Sequence, residues 1–167
     1  MKEWEDDLKE WAIALLIGAT VILLVRSFIV TTYQIDGDSM LPTLHSGDQV
    51  VVSLISSIEP GDLVIVQYSD QKDIVKRVIG VPGDRIEFRA NQIFVNSVVL
   101  EEPYIYEQDS NLEDMTIELE EDRYFVLGDN RERSLDSRDL GTFTTQQIIG
   151  EVKFIYYPFQ HFSAIHY

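Results

Sequence analysis

The chain has 167 residues, 45% of them hydrophobic and 25% charged, which suits one core or a core with a small insertion. It has no cysteine, which excludes disulfides, thiolate catalysis and cysteine-ligated zinc. The formal charge is −16 and no cluster of Lys and Arg is visible, so nucleic acid is not an expected partner and the acid excess reads as a soluble, self-repelling surface.

The first element is apolar. Residues 11–25 carry no charge, and Thr20 is the one polar side chain among them. As a helix this run spans about 22 Å, short of the ~30 Å hydrocarbon core of a bilayer. Phe28-Ile29-Val30 extends it past Arg26, whose guanidinium can snorkel to headgroups. Residues 11–30 then reach the length of a membrane span. A cleavable leader would need a basic start and a small-residue cleavage site, but residues 2–10 are mostly acidic and no Ala-x-Ala follows. A core helix would have a polar face, and this run has almost none. The reading is therefore a short N-terminus over 1–10 and a transmembrane anchor over 11–30. Lys2 and Lys9 lie before it and Arg26 near its far end, so the charges do not orient it.

Beyond residue 33 the pattern is that of strands. Segments 49–54, 62–68, 74–79, 85–89, 93–95, 124–127 and 151–157 are rich in Val, Ile, Phe and Tyr. Gly-Asp dipeptides at 37, 47, 61, 83 and 128 punctuate them. Two belong to Pro-Gly-Asp turns, at 60–62 and 82–84, and proline followed by glycine predicts type II turns. Residues 101–122 are acidic and weakly periodic, and read as a surface excursion within a small inserted β subdomain over 84–122. A short helix is expected at 144–149, with Thr144 as N-cap. The predicted fold is mainly β: a coiled, barrel-like core over 31–167 hung from one helix.

Three clusters carry candidate chemistry. Ser39 lies in the turn Gly37-Asp38-Ser39-Met40-Leu41-Pro42-Thr43-Leu44, where Gly37 permits a tight bend and Pro42 stiffens the exit. A serine hydroxyl is inert until a base activates it. His161 and His166 lie in an aromatic tail and His45 in the turn His45-Ser46-Gly47-Asp48; none forms a recognisable triad or metal motif. A lysine can serve if its pKa falls from ~10.4 to roughly 7–8. Burial among apolar groups does this, and Lys76 sits in Ile74-Val75-Lys76-Arg77-Val78-Ile79-Gly80. On a strand, Lys76 has Ile74 and Val78 on its face and Arg77 has Val75 and Ile79, so alternation does not choose between them. Arginine keeps its proton and cannot be the base. The third cluster is Gly128-Asp129-Asn130-Arg131-Glu132-Arg133-Ser134-Leu135-Asp136-Ser137-Arg138, in which Asp129 and Asn130 are expected to set turn geometry.

With the apolar segment and Gly61-Asp62-Leu63-Val64, these clusters stand in the order found in type I signal peptidases, which the chain resembles from the anchor to about Gly150. That family consists of membrane-anchored serine proteases that cleave signal peptides from exported precursors. The resemblance implies Ser39 as nucleophile and Lys76 as general base, with no cofactor and no metal. It implies that Ser134 orients the lysine amine and that Asp136 and Arg138 form a structural ion pair. The Ser39 N–H would be one oxyanion donor. Relatives with a serine two residues before the nucleophile gain a second from its hydroxyl; Gly37 has none to offer. The resemblance also implies a cytoplasmic N-terminus, an extracytoplasmic catalytic domain at the cell membrane, and substrates with small residues at positions −1 and −3. Two alternatives stay open from the residues alone. One is a self-cleaving repressor-type protease using the same Ser/Lys pair, which would carry an N-terminal DNA-binding region. The other is a non-catalytic membrane-anchored relative.

Overall fold

A computed structural model describes residues 2–69, 72–105 and 113–165. The chain opens with one continuous helix, α1 (Lys2–Ile29). Thr20, polar in an apolar helix, turns its hydroxyl back to the Leu16 carbonyl at 2.8 Å. The described side chains of 11–24 are exposed, including Ile13, Leu15, Leu16, Ile22 and Leu23. The side chains of 25–28, Arg26 among them, lie outside the described residues. The expected helix is therefore present, but the expected span is not seen: among the described residues no helix is long and apolar enough to cross a membrane. The described apolar stretch 11–24 covers only about 21 Å.

The rest is antiparallel β structure. The strands are β1 (Val30–Gln34), β2 (Gln49–Ser53), β3 (Leu63–Ser69), β4 (Lys72–Gly80), β5 (Arg85–Arg89), β6 (Gln92–Val95), β7 (Val98–Val99), β8 (Met115–Glu118), β9 (Arg123–Leu127), β10 (Phe143–Thr144), β11 (Ile148–Tyr157) and β12 (Ser163–Ala164). The larger sheet has the order β1-β2-β11-β3-β4-β9-β10, with β12 added on β11; the smaller has the order β7-β6-β5-β8. The larger sheet is open in its hydrogen bonding yet strongly curled. β1 and β4 are four places apart in it, about 19 Å if the sheet were flat. The Tyr33 hydroxyl on β1 nevertheless donates to Asp73 on β4 at 3.0 Å.

Curling lets the larger sheet bury both faces. Leu63 and Ile65 pack with Val50, Val52, Met40 and Leu44 in one cluster. Their neighbours Val64 and Val66 pack with Val78, Val126 and Phe143 in another. This is why β3 reads as an unbroken apolar run rather than an alternating one. The smaller sheet has a core of its own, around Ile86, Phe88 and Ile93, which reaches Phe125 and Leu127 of the larger sheet.

The Pro-Gly-Asp turns form as predicted. Gly61 and Gly83 have φ of 97° and 88°, and Asp62 and Asp84 donate their N–H to the carbonyls three residues back. Each aspartate also accepts the N–H that opens its turn, Glu59 at 2.8 Å and Val81 at 2.9 Å.

Four expectations need correction. β1 begins at Val30, which the sequence reading assigned to the helix. β8 lies within the acidic excursion, where Ile117 and Met115 face the smaller core while the alternate residues are exposed; residues 106–112 lie outside the described residues. The helix expected at 144–149 is a single 3-10 turn, Thr145–Gln147, followed at once by β11. Thr144 is its N-cap, and the Gln147 carboxamide oxygen accepts the Thr144 N–H at 2.9 Å. A four-residue helix that the sequence reading lacked, α2 (Ser137–Leu140), follows Asp136.

Candidate active site

The serine turn is held from below. Met40 and Leu44 are 1% and 0% exposed, and the Leu44 N–H bonds the Met40 carbonyl. They lie four residues apart, on one side of a single helical turn, and both enter the core. Ser39, just before Met40, stays at the rim of a cleft of about 500 Å³. Gly37 has φ of +93°, which explains a glycine there. Its N–H is taken by the Ser46 hydroxyl at 3.3 Å. Among the described residues no acceptor takes the Ser39 N–H.

Lys76 reaches the serine from β4, paired there with Val64 of β3. It is 2% exposed, and its Nζ donates to Ser39 Oγ at 2.7 Å. Burial pushes the Lys76 ammonium down from 10.5 to about 8, while Asp136 and Asp129 nearby oppose the fall. The amine is thus held neutral more easily than an ordinary lysine. When neutral it can accept the Ser39 proton across the same short contact.

Arg77, 0% exposed, has a different environment. Its Nε and Nη2 donate to the two oxygens of Asp129 at 2.8 and 2.6 Å, and Nη1 donates to the Gly61 carbonyl. The Thr43 hydroxyl also donates to Asp129. The ion pair therefore ties β4 to the end of β9 and to the serine turn. Asp129 does more than shape a turn, as the sequence reading had it. Asn130 clamps Ser39 directly: its N–H donates to the Ser39 carbonyl at 3.0 Å and its Nδ2 to the Asp38 carbonyl at 3.1 Å.

Asp136 and Arg138 do pair. Arg138 Nε and Nη2 donate to the two Asp136 oxygens at 2.9 and 3.0 Å, and Nη2 also bonds the Arg131 carbonyl. Asp136 in turn accepts the Gly128 N–H at 3.0 Å. Burial alone would raise the Asp136 carboxyl, but the Arg138 guanidinium and the Gly128 N–H hold it below the usual range. Ser134 is brought to the same place without the bond expected of it. Its Oγ is buried and, among the described residues, has no hydrogen-bond partner; no bond to the Lys76 amine forms. Ser134 packs instead against Gly128, where an added Cβ would lie 2.2 Å from Ser134 Oγ and 2.6 Å from the Ser39 carbonyl oxygen.

Two contacts from the acidic excursion were not foreseen. Glu102 pairs with Arg131, and the Tyr104 ring lies under the Arg77 guanidinium at 3.9 Å. Arg77 could have announced a partner, since a buried guanidinium needs a carboxylate. Glu102 and Tyr104 carry no such signal.

The cleft beside Ser39 and Lys76 runs between the end of β1 and the first half of β4. Tyr33, Ile35, Ile65, Tyr68, Ile74 and Val75 supply its apolar and aromatic lining. A second hollow of about 360 Å³ lies beyond Leu41 and Pro42, walled by 129–133.

The family model described as "Signal peptidase, peptidase S26" matches residues 8–157. The chain belongs to the signal peptidase family. It is 39% identical over 165 residues to signal peptidase I S of Bacillus subtilis (strain 168), covering 90% of this chain and 89% of that protein. It is 36% identical over 180 residues to signal peptidase IB of Staphylococcus aureus, covering 95% and 94%. A crystal structure of a signal peptidase I from Enterococcus faecalis V583 superimposes with a TM-score of 0.51 at 29% identity, over 58% of this chain and 97% of that one. This signal peptidase is a hydrolase, a serine endopeptidase that cleaves signal peptides from exported precursors.

Proposed function

We propose that this signal peptidase works through a Ser39/Lys76 dyad while anchored in the cell membrane by α1. The observation that carries the dyad is the 2.7 Å contact between Ser39 Oγ and a lysine amine that burial lowers to about 8. Neutral Lys76 removes the Ser39 proton as Oγ attacks the scissile carbonyl carbon. The Ser39 N–H donates to the developing oxyanion; such a donor is worth about 3–4 kcal/mol in comparable sites. The Lys76 ammonium then protonates the leaving amine, and the acyl-enzyme is hydrolysed with Lys76 again as base. Gly37 contributes its backbone turn and has no side chain to give a second oxyanion donor. Asp136, Arg138 and Ser134 are positioning residues that keep 128–138 packed against the serine turn.

The cleft lining supports the substrate reading. Ile35, Ile65 and Val75 are nearly closed to solvent, at 4%, 2% and 8% exposure, so they form a shallow floor that admits small side chains. Residues before the cut, small at −1 and −3, would lie along this floor, and those after the cut would enter the hollow beyond Pro42.

For the anchor, the support is a helix of 28 residues, about 42 Å long. Its described apolar side chains over 11–24 are exposed on every side. In water such a helix would be costly; in lipid it is the expected solution. Residues 1–10 would then lie on the cytoplasmic side, 11–29 in the bilayer and 30–167 outside, with 84–122 as an inserted subdomain.

The test is incubation of a secretory precursor with the wild-type chain and with Ser39→Ala, followed by sequencing of the new N-terminus. Cleavage after a small residue by the wild type, and none by the variant, is the expected result. Equal cleavage by both removes Ser39 from the mechanism.

A further inference from the structure

The three histidines looked unrelated in the sequence, but folding brings two of them onto one carboxylate. His161, in the 3-10 turn Phe159–His161, has its Nδ1 2.9 Å from Asp48 Oδ1. His45 Nδ1 lies 4.0 Å from Asp48 Oδ2. The two imidazole rings are 5.0 Å apart, and one ligand atom from each of the three residues falls within 4.8 Å of the others. We propose that His45, Asp48 and His161 form a binding site for a divalent transition-metal ion of the zinc class, separate from the catalytic dyad.

The carboxylate is preset for this role. Asp48 is 1% exposed, and its Oδ2 accepts the His45 N–H at 2.8 Å while its own N–H bonds the His45 carbonyl. Those turn bonds fix the carboxylate and leave Oδ1 directed at His161. Among the described residues, the basic side chains within ion-pair distance of Asp48 are these two imidazoles; no lysine or arginine pairs with it. A buried carboxylate left without a compensating charge is costly, and a metal ion supplies that charge. The two imidazoles are about half exposed, at 51% and 42%, so they are open to an incoming ion and free to turn. Tetrahedral zinc with bonds of about 2.0–2.1 Å needs ligand atoms roughly 3.3 Å apart. Rotation of two exposed rings toward a fixed oxygen closes that gap. Two nitrogens and one oxygen suit zinc, cobalt, nickel or copper, whereas calcium and magnesium prefer oxygen alone.

The position gives the ion a consequence. His45 follows Leu44, the last residue of the serine turn. Gly47 and Asp48 close the base of that turn through the Gly47 N–H to the Ile35 carbonyl and the Ile35 N–H to the Asp48 carbonyl. His161 comes from the segment after β11. A bound ion would therefore lock the C-terminal segment to the base of the nucleophile turn.

The experiment is calorimetric titration of zinc into the full chain, purified in detergent without a polyhistidine tag and stripped with chelator. His45→Ala and His161→Ala are the variants, since both side chains are exposed and their loss spares the fold. One zinc per chain is expected, unaffected by excess magnesium. Each variant should weaken binding by about 10-fold or more, as even loss of an outer-shell partner does at metal sites. Cobalt should add the visible absorption of a site with nitrogen ligands, absent from both variants. No saturable zinc binding by the wild type overturns the proposal. So does wild-type affinity in either variant, which would assign the metal to the acidic surface.

Discussion

Lys76 and Arg77 are adjacent, both buried and both cationic in origin, yet they do opposite things. Arg77 has a bidentate carboxylate partner in Asp129 and keeps its charge. Lys76 has a serine hydroxyl, and burial lowers its pKa to about 8. Strand alternation could not tell them apart; the difference lies in long-range partners 37 and 52 residues away. Lys76→Arg should therefore abolish precursor cleavage, because arginine keeps its proton, and a circular-dichroism melt checks that the variant still folds. Asp129→Asn should be worse for stability than for chemistry. It removes the carboxylate charge that offsets a buried guanidinium, at a cost of about 3–5 kcal/mol, readable as a lower midpoint in denaturant titration. Lys76 also ties stability to pH. Its folded pKa lies below its unfolded one, so between about 8 and 10.5 the unfolded chain binds the extra proton and stability rises with pH. A fall from 10.5 to about 8 corresponds to about 3 kcal/mol. Lys76→Met should lack that rise, and thermal unfolding of both proteins across this range measures the difference.

Among the elements, the strands and turns of the core were legible because local chemistry specifies them. Gly61 and Gly83 need positive φ and have proline before them, β3 opens on four apolar residues, and β4 carries Ile74, Val75, Val78 and Ile79 around its two buried cations. Short elements were not. β8 is visible only through its pairing with β5, and α2 through the Asp136 carboxylate that caps it at the Arg138 N–H. β1 was hidden because its first residue continues the apolar run of α1. The candidate site was legible as residues but not as a scaffold: Ser39, Lys76 and the Asp136–Arg138 pair were named in advance, whereas the Asn130 clamp and the Tyr104 and Glu102 contacts depend on tertiary docking. The segment 128–138 is the tightest part of that scaffold. Gly128→Ala would drive a methyl group into Ser134 and the Ser39 carbonyl. Activity and stability should fall together, since backbone on one side cannot yield. Asp136→Asn should likewise lower both, because it loses the Arg138 pair and weakens the Gly128 anchor. A stable but inactive Asp136→Asn protein would give that carboxylate a direct part in the chemistry.

At the scale of the molecule, α1 and the curled sheet are joined with no slack. β1 starts one residue after the helix ends, and the Leu54 N–H bonds the Ile29 carbonyl at 2.9 Å. Ser39 stands nine positions after Val30, at most about 32 Å when extended, so Ser39 stays near whatever holds the helix. If that is a bilayer, the tether raises the effective concentration of a membrane-held precursor. Removal of residues 1–29 should then reduce cleavage of membrane-inserted precursor far more than cleavage of a short soluble peptide. Equal losses would contradict tethering. The central claim, however, is the base. The measurement that tests it most directly is kcat/KM from about pH 6 to about pH 10 on a short peptide with no ionisable group near its scissile bond. The account predicts a rise with one apparent pKa near about 8, followed by a plateau, as Lys76 loses its proton. A flat profile from a protein that stays folded throughout would contradict a lysine base.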